Sequence, residues 1–211
     1  MRTDELIAAL AADAPHRQPS LSTAWWAAAA VAATLAAGVF FGLLGLRPDI
    51  AAAAETPRFL WKFVITLALA GSAFALAGEL SRPGARPLAV AWLVAAPALL
   101  AASVAIELAL VPASEWPART IGTNNINCLT WIPLIGLAPL AIFLLALRYG
   151  APTRPRIAGA VAGLLAGGVA ATFYAAHCTD DSPLFVAVWY PLAIAGLAGL
   201  GAIAAGRFAR W

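Results

Sequence analysis

Residues 157–206 read IAGAVAGLLAGGVAATFYAA, then HCTDDSP, then LFVAVWYPLAIAGLAGLGAIAAG, and this pattern indicates the class of structure. Two apolar runs, residues 157–176 and 184–206, each have about the twenty residues that an α-helix needs to cross a bilayer. The heptapeptide between them contains a histidine, a cysteine and two adjacent aspartates. The pattern predicts two antiparallel transmembrane helices joined by a short polar loop.

The composition extends this interpretation to the whole chain. Of 211 residues, 63% are hydrophobic and 11% are charged, and the mean hydropathy is +0.86. A soluble domain has about 25% charged residues, so this chain has too few polar side chains to cover a water-exposed surface. A transmembrane β-barrel would alternate polar and apolar residues in segments of about ten, whereas these runs are continuous. The net charge of +3 does not indicate a nucleic-acid partner, because the arginines cluster at the ends of apolar runs.

We therefore predict an all-α, polytopic membrane protein, a bundle of six transmembrane helices. The six apolar runs are residues 21–46, 59–80, 88–111, 126–147, 157–176 and 184–206. They make up a transmembrane domain of residues 21–211, which follows an N-terminal segment of residues 1–20. The first run has no clean small-residue cleavage site, so we expect a retained helix and not a signal peptide.

The basic residues predict the orientation of the bundle. If the N-terminus is inside, nine basic residues lie at the inner side and four at the outer side. The inner residues are Arg2, Arg17, Arg82, Arg86, Arg148, Arg154, Arg156, Arg207 and Arg210, and the outer ones are Arg47, Arg58, Lys62 and Arg119. Because inner loops carry the excess of Lys and Arg, both termini are predicted to be cytoplasmic. Cys128 and Cys178 then lie at the outer ends of the fourth and fifth helices.

The N-terminal segment has the pattern of one short helix. Asp4 and Glu5 suit the positive N-terminal end of a helix, and Leu6, Ile7 and Leu10 follow at helical spacing. A helix this short is marginal in water on its own. Two interpretations stay open: an interfacial helix on the lipid surface, or a docking peptide that presents one apolar edge to a soluble partner.

The polar loop and the start of the fourth helix hold the candidate chemistry. The side chains concerned are those of Cys128, His177, Cys178, Asp180 and Asp181. Thiolates and an imidazole suit soft or borderline metals, which makes Cys128, His177 and Cys178 candidate metal ligands. The two thiols can instead form a disulfide in an oxidising compartment, or cycle as an oxidant sensor. In the plainer alternative, the cysteines are packing residues and an aspartate caps the sixth helix.

Few other residues offer chemistry. Lys62, Glu79 and Glu107 are ionisable residues within the apolar runs, and all three lie near predicted helix ends, where Lys62 is expected to snorkel outward. The chain contains no Walker motif, HExxH or GxSxG, so we do not expect an enzyme. A transporter or channel for a small solute or metal ion would be expected to have mid-membrane charges, which this chain lacks. A membrane thiol oxidoreductase would be expected to have a CxxC motif, which this chain also lacks.

Several short motifs together resemble the NrsF family of membrane anti-sigma factors. In order, they are TDELIAAL (residues 3–10), RPD (47–49), TPRF (56–59), RPG (82–84), GAPTRP (150–155) and HCTDDSPLF (177–185). The resemblance extends over essentially the whole chain. Each motif is short, but their order and spacing are specific, and the last two are the strongest.

The resemblance implies a multi-pass protein of the bacterial inner membrane, with both termini cytoplasmic. It implies that the N-terminal segment, with Asp4, Glu5, Leu6, Ile7 and Leu10, holds a sigma-F-type extracytoplasmic-function sigma factor. It also implies two cysteines needed for the response to oxidants or heavy metals, which would be Cys128 and Cys178. No permanent cofactor is expected, only a transient heavy-metal ion at the cysteines. A small-solute or metal-ion transporter remains the alternative function.

We expect the stimulus to act through the two thiols and the helices that carry them. A disulfide, or a metal ion bridging the sulfurs, would draw the outer ends of the fourth and fifth helices together. The movement would then reach the inner turn at residues 150–156, near the docked N-terminal segment. On this hypothesis both thiols are needed for the response.

Overall fold

The structure, a computed structural model, describes residues 2–12, 20–84 and 87–208, apart from the side chains of residues 9–12, 87–90 and 208. In this part of the chain all regular structure is helical. The α-helices are α1 (Thr3–Ala12), α2 (Leu21–Leu43), α3 (Ile50–Ala53), α4 (Pro57–Leu80), α5 (Ala95–Leu110), α6 (Trp116–Ile121), α7 (Asn125–Leu147), α8 (Pro155–Ala175) and α9 (Pro183–Phe208). The 3₁₀ helices Pro87–Val94 and Ala113–Glu115 precede α5 and α6.

Six helices of the described residues are long and apolar enough to cross a membrane. They are α2, α4, α7, α8, α9 and a span of Ala91–Leu110 that includes α5. The predicted class, a bundle of six membrane-spanning helices, is confirmed. The short helices α3 and α6 lie in the connections between spans, at the end of the bundle that holds both cysteines.

Two predicted segment boundaries are corrected by the structure. The first helix ends at Leu43 and not at residue 46, because Gly45 has a φ of 71°. There the N–H groups of Leu44 and Gly45 both donate to the carbonyl oxygen of Phe40, a helix end that favours glycine. The third segment is α-helical only from Ala95, after eight residues of 3₁₀ helix. Pro97 cannot donate to a carbonyl four residues earlier, but it is tolerated in the first turn of α5.

Helix α8 lies at the centre of the bundle and packs against α4, α7 and α9. Its glycines at positions 159, 163 and 167 face α9. A methyl group added at Gly159 would meet the backbone of Gly201, and one at Gly163 would meet the backbone of Leu197. The absence of these side chains lets the two backbones approach closely. The loop between α8 and α9 is therefore carried on a tightly packed helix pair.

Ser81 connects three elements at the opposite end of the bundle. It caps the C-terminus of α4 and is 1% exposed. Its hydroxyl accepts a hydrogen bond from the indole N–H of Trp25 at 3.1 Å and donates to the carbonyl of Ala77. Its carbonyl accepts from the N–H of Ala151 at 2.9 Å. The start of α2, the end of α4 and the turn after α7 are therefore held together at one buried residue.

Candidate functional site

The fold brings the two cysteines together. Cys128 lies in the first turn of α7, and Cys178 lies in the loop after α8. Both are free thiols with no exposed surface, and the Cys178 thiol lies 3.8 Å from the carbonyl oxygen of Asp180. They belong to one buried cluster that also contains Tyr174 and Tyr190. The structure therefore places both cysteines at one end of the bundle.

Asp180 fixes the position of Cys128. Its Oδ2 accepts hydrogen bonds from the backbone N–H groups of Thr123 and Asn124, at 2.9 and 2.8 Å, and from the Asn124 side chain at 3.0 Å. Asn124 is the N-cap of α7, and its carbonyl accepts from the N–H of Cys128. A carboxylate is favourable at the positive N-terminal end of a helix. Asp180 thus caps α7 and not the sixth membrane helix.

Gly122 makes this arrangement possible. Its φ is 57°, a conformation that favours glycine. A methyl group at this position would also meet the ring of Phe185 and the carboxyl carbon of Asp180. The turn before α7 therefore needs a glycine for its backbone conformation and for the close approach of the loop that carries Cys178.

Asp181 binds two cations that also bind the backbone of Cys178. Its carboxylate forms salt bridges with Lys62 Nζ at 2.6 Å and with Arg47 Nη1 at 2.9 Å. The carbonyl oxygen of Cys178 accepts from Lys62 at 2.9 Å and from Arg47 at 3.3 Å. Both cations also lie over the ring of Phe59, at 5.3 and 5.6 Å from its centroid. The loop is therefore joined by charge to α4 and to the segment after α2.

The structure corrects the expectation for Lys62. It does not reach out to water but is 1% exposed, because its ammonium group is satisfied inside the protein by Asp181 and by the Cys178 carbonyl. One feature of the sequence could have indicated this ion pair: a lysine in an apolar helix and a carboxylate in a loop are predicted to lie at the same side of the membrane. Sequence reasoning missed the pair, since the partner is 119 positions away in the chain.

His177 is placed beside the thiols in sequence but is attached to a different element. Its Nδ1 is 3.0 Å from the carbonyl oxygen of Gly45, and the neighbouring carbonyl of Ala176 accepts from the N–H of Arg47. Within the described residues, no group of three or more His, Cys, Asp or Glu side chains is arranged to hold a metal ion. Cys128, His177 and Cys178 therefore do not form a three-ligand site in this structure. Metal binding by the two thiols alone stays a prediction.

The charges around the loop act on the Cys178 thiol. Its pKa is lowered by the hydrogen bond from Cys128 and by the positive charge of Lys62, although burial opposes the shift. Nearby, the hydrogen bonds to Asp49 and Asp181 raise the pKa of the Arg47 guanidinium. Because the thiolate is the nucleophilic form of cysteine, Cys178 is the more reactive sulfur of the two by its surroundings.

A second ion cluster lies beside the loop. Glu107, near the end of α5, is 3% exposed and forms salt bridges with Arg58 at 2.9 Å and Arg119 at 3.2 Å. Ser182 also lies within 3.4 Å of this carboxylate. An open cavity of about 1010 Å³ is lined by both arginines and by the loop residues 179–182. All four basic residues at the cysteine end, Arg47, Arg58, Lys62 and Arg119, are therefore in ion pairs.

Two tyrosine hydroxyls at the site have no hydrogen-bond partner. Among the described residues, the buried polar side-chain atoms without a partner are the hydroxyl oxygens of Tyr174 and Tyr190. Tyr174 lies in the last turn of α8 and Tyr190 in the second turn of α9, with ring centroids 6.1 Å apart. Sequence analysis did not select these residues, because a tyrosine near a membrane surface is common and carries no distinctive motif.

The N-terminal segment forms the predicted helix, α1. Leu6 and Ile7 are 42% and 59% exposed, and Asp4 and Glu5 are also exposed. Glu5 accepts a hydrogen bond from the backbone N–H of Arg2 at 3.1 Å, which satisfies a donor at the helix start. The side chain of Leu10 lies outside the described part of the chain. An apolar edge with Leu6 and Ile7 is thus available to a partner.

Comparison with known proteins gives a consistent result over the whole chain. A family model described as "NrsF: Negative regulator of sigma F" matches residues 10–211. The chain is 36% identical to "Anti-sigma-F factor NrsF" of Caulobacter vibrioides, over 215 aligned positions that cover 100% of both chains. It is 34% identical to "Probable anti-sigma-F factor NrsF" of Azospira oryzae, over 230 positions with the same coverage. No solved structure matches the chain.

Proposed function

The chain belongs to the NrsF family of negative regulators of sigma F, and we propose that it releases a bound sigma factor when its thiol pair reacts. The partner is an extracytoplasmic-function sigma factor, and the stimulus is an oxidant or a heavy metal that acts on Cys128 and Cys178. The observation that carries the proposal is the pair itself. Two free thiols from distant parts of the sequence share one buried site, where a new covalent or metal bond can change the geometry of the loop.

The charge distribution supports a periplasmic position for this site and a cytoplasmic position for both termini. The four basic residues at the cysteine end are neutralised by acidic partners. At the other end, Arg82, Arg148, Arg154, Arg156 and Arg207 are exposed. Exposed basic residues at one end of a bundle are typical of its cytoplasmic side. In a bacterium, the membrane that borders the cytoplasm is the inner membrane, and we place the protein there.

The proposed docking surface for the sigma factor is on α1, where Leu6, Ile7 and Leu10 form the apolar edge and Asp4 and Glu5 lie in the first turn. Leu6 and Ile7 expose apolar surface without cover, and a short helix gains stability when a partner covers such an edge. The acidic residues suit a basic rim on that partner, because complementary charge guides association. Residues 1–20 are accordingly the sigma-docking segment, and residues 21–211 the transmembrane domain.

Release requires that the stimulus favour one of two states of the protein. A stimulus shifts such an equilibrium only by its differential interaction with the two states. In the state described here the thiols are reduced and the loop is held by Asp180 and Asp181. A disulfide brings its two sulfurs to about 2.0 Å, closer than two free thiols can lie, and a bridging metal ion enters between the sulfurs, so each favours a state in which the loop and its charged contacts have moved.

The test is a transcriptional reporter for the cognate sigma factor in a strain whose only copy of this protein is the variant. We expect Cys128→Ser and Cys178→Ser each to keep the reporter silent and to abolish its induction by peroxide or cadmium. Protein abundance in the membrane serves as the control. Induction of both single variants at the wild-type level would show that the cysteines are packing residues only.

The same reporter strain tests the docking segment. Leu6→Asp combined with Ile7→Asp should give constant expression without a stimulus, because a charge cannot be buried in an apolar contact. Ala8→Asp, on another face of the same helix, is the matched control and should leave the reporter repressed. A silent reporter with the double variant would move the docking surface to another part of the protein.

A further inference from the structure

We propose that the hydroxyls of Tyr174 and Tyr190 are hydrogen-bond donors held ready for the oxygen of an oxidised Cys178 sulfur. The proposal rests on the thiol-sensing function described above and assigns two residues to its first chemical step. It concerns peroxides as the oxidant class. Both hydroxyls are buried without a hydrogen-bond partner in the cluster that contains the two thiols.

A buried hydroxyl without a hydrogen bond costs about 1–3 kcal/mol of stability. Such groups are uncommon in folded proteins and usually have a specific cause. Here two of them lie in one cluster, Tyr190 being 2% exposed and Tyr174 fully buried. A phenylalanine would fill both positions without this cost. The hydroxyls are therefore better explained by a state of the protein in which an acceptor is present.

The position of the hydroxyls identifies the acceptor. Both tyrosines belong to the same buried cluster as Cys128 and Cys178, so the two hydroxyls without a partner lie among the groups that surround the sulfurs. A neutral thiol sulfur is a weak acceptor. A sulfenate oxygen is a strong acceptor and extends from the sulfur by one bond. Oxidation of Cys178 thus places an acceptor where the two donors already lie.

The other polar groups near Cys178 are already engaged. Lys62 and Arg47 bind Asp181 and the Cys178 carbonyl, Asp180 binds the start of α7, and His177 binds Gly45. Using any of these groups for a new oxygen would break an existing bond. The tyrosine hydroxyls alone among these neighbours can donate without such a loss, since they have no partner to give up.

The chemical step is a two-electron oxidation of sulfur by a hydroperoxide. The Cys178 thiolate attacks one peroxide oxygen, the O–O bond breaks, and the products are a sulfenic acid and an alcohol, or water from hydrogen peroxide. The Cys128 thiol then attacks the Cys178 sulfur, which forms the disulfide and releases water. In total, two thiols and one hydroperoxide give one disulfide, one alcohol and one water. The hydroxyls stabilise charge that develops on oxygen in the first step.

The experiment uses full-length protein purified in detergent micelles and measures two quantities for each variant. The first is the rate of disulfide formation with hydrogen peroxide, and the second is the yield of dimedone adduct at Cys178 in a Cys128→Ser background. Tyr174→Phe and Tyr190→Phe should each slow disulfide formation about tenfold, as expected for loss of a hydrogen bond to a charged group. The adduct yield should fall in the same variants.

Thermal unfolding separates this role from a structural one. Removing an unpartnered hydroxyl should leave the midpoint of unfolding unchanged or higher, while the loss of a structural hydrogen bond would lower it. Tyr149→Phe, an exposed tyrosine at the opposite end of the bundle, is the matched control and should change nothing. Wild-type oxidation rates in both site variants, or slow oxidation with a lowered midpoint, would overturn the proposal. Wild-type protein whose thiols resist peroxide would overturn the proposed thiol-sensing function as well.

Discussion

Adjacent carboxylates in the loop serve different partners. Asp180 binds the N-terminus of α7, and Asp181 binds the cations Lys62 and Arg47. Each contact fixes one side of the thiol pair, because α7 carries Cys128 and the cations hold the Cys178 carbonyl. At the residue scale, the reactivity of the thiols therefore depends on side chains that do not react themselves.

Removing the charge of Asp181 should destabilise the protein and expose the Cys178 thiol more than removing the charge of Lys62. Asp181→Asn leaves Lys62 buried without a counter-charge, and breaking a buried pair in this way costs about 3–5 kcal/mol. Lys62→Met leaves Asp181 with Arg47, which also keeps Asp49 as a partner, so we expect a smaller loss. The measurements are thermal unfolding in detergent and the rate of maleimide labelling of Cys178.

The double variant is the control for this pair. Lys62→Met combined with Asp181→Asn removes the orphaned cation, so its stability should recover part of the loss of Asp181→Asn. Additive losses would show that the two side chains do not depend on each other. Equal labelling rates for the wild-type protein and Asp181→Asn would contradict a role for Asp181 in closing the site.

At the scale of elements, the loop owes its position to the pairing of α8 with α9. The two helices are joined by the seven residues 176–182, and their backbones approach at Gly159, Gly163 and Gly201. This close contact leaves the loop little freedom to shift without movement of the pair. Helices α8 and α9 thus hold the loop with Cys178 in place, and the start of α7, which Asp180 caps, holds Cys128 on the other side.

Gly163→Ala should separate α8 from α9 and destabilise the protein by about 1–3 kcal/mol through overpacking. An added methyl group at this position would collide with the backbone of Leu197, which cannot rotate away. Gly196→Ala is the matched control on α9, where the new methyl group meets nothing within 4 Å. Alanine favours a helix over glycine by about 1 kcal/mol, so this variant should be neutral or more stable in thermal unfolding.

If the two alanine variants unfold at the same temperature, the close approach of α8 and α9 has no energetic role. A second readout is the rate of disulfide formation with peroxide. It should change with Gly163→Ala, because that helix pair supports the loop, and stay at the wild-type rate with Gly196→Ala.

At the scale of the whole molecule, α4 extends from the thiol site to the start of α2. Near its start, Lys62 binds the Cys178 carbonyl and Asp181. At its end, Ser81 accepts from Trp25 in the first turns of α2, a few residues after the N-terminal segment. The sequence-based hypothesis routed the signal through the fourth and fifth spans to the turn at residues 150–156. Ser81 also binds Ala151 in that turn, so we propose α4 as the more direct connection.

Ser81→Ala should weaken this connection without changing the thiols. It leaves the buried indole N–H of Trp25 without an acceptor, which costs about 1–3 kcal/mol. We expect disulfide formation at the wild-type rate but a reduced induction of the sigma-dependent reporter by peroxide. Ser72→Ala, whose hydroxyl binds only the carbonyl of Leu69 in the same helix, is the control. Full induction in Ser81→Ala would argue against α4 as the connection.

The sequence by itself determined the class of fold and the number of spans. Runs of apolar residues long enough to cross a bilayer are a local property, so residues 59–80 and 126–147 predicted α4 and α7 to within two residues. It also selected Cys128, Cys178 and Asp180, because polar residues are rare in such a chain. The helical form of α1 was likewise predictable from its short-range pattern.

Only the tertiary structure decided which distant groups meet. The pairing of Lys62 with Asp181, the cap that Asp180 provides for α7 and the unpartnered hydroxyls of Tyr174 and Tyr190 each depend on contacts between separate helices. No local periodicity contains this information, since in a bundle the rotation and depth of each helix are set by packing against its neighbours. Lys62 shows the difference: its position in an apolar run favours an outward, solvated side chain, and a carboxylate from the folded loop gives it a buried partner instead.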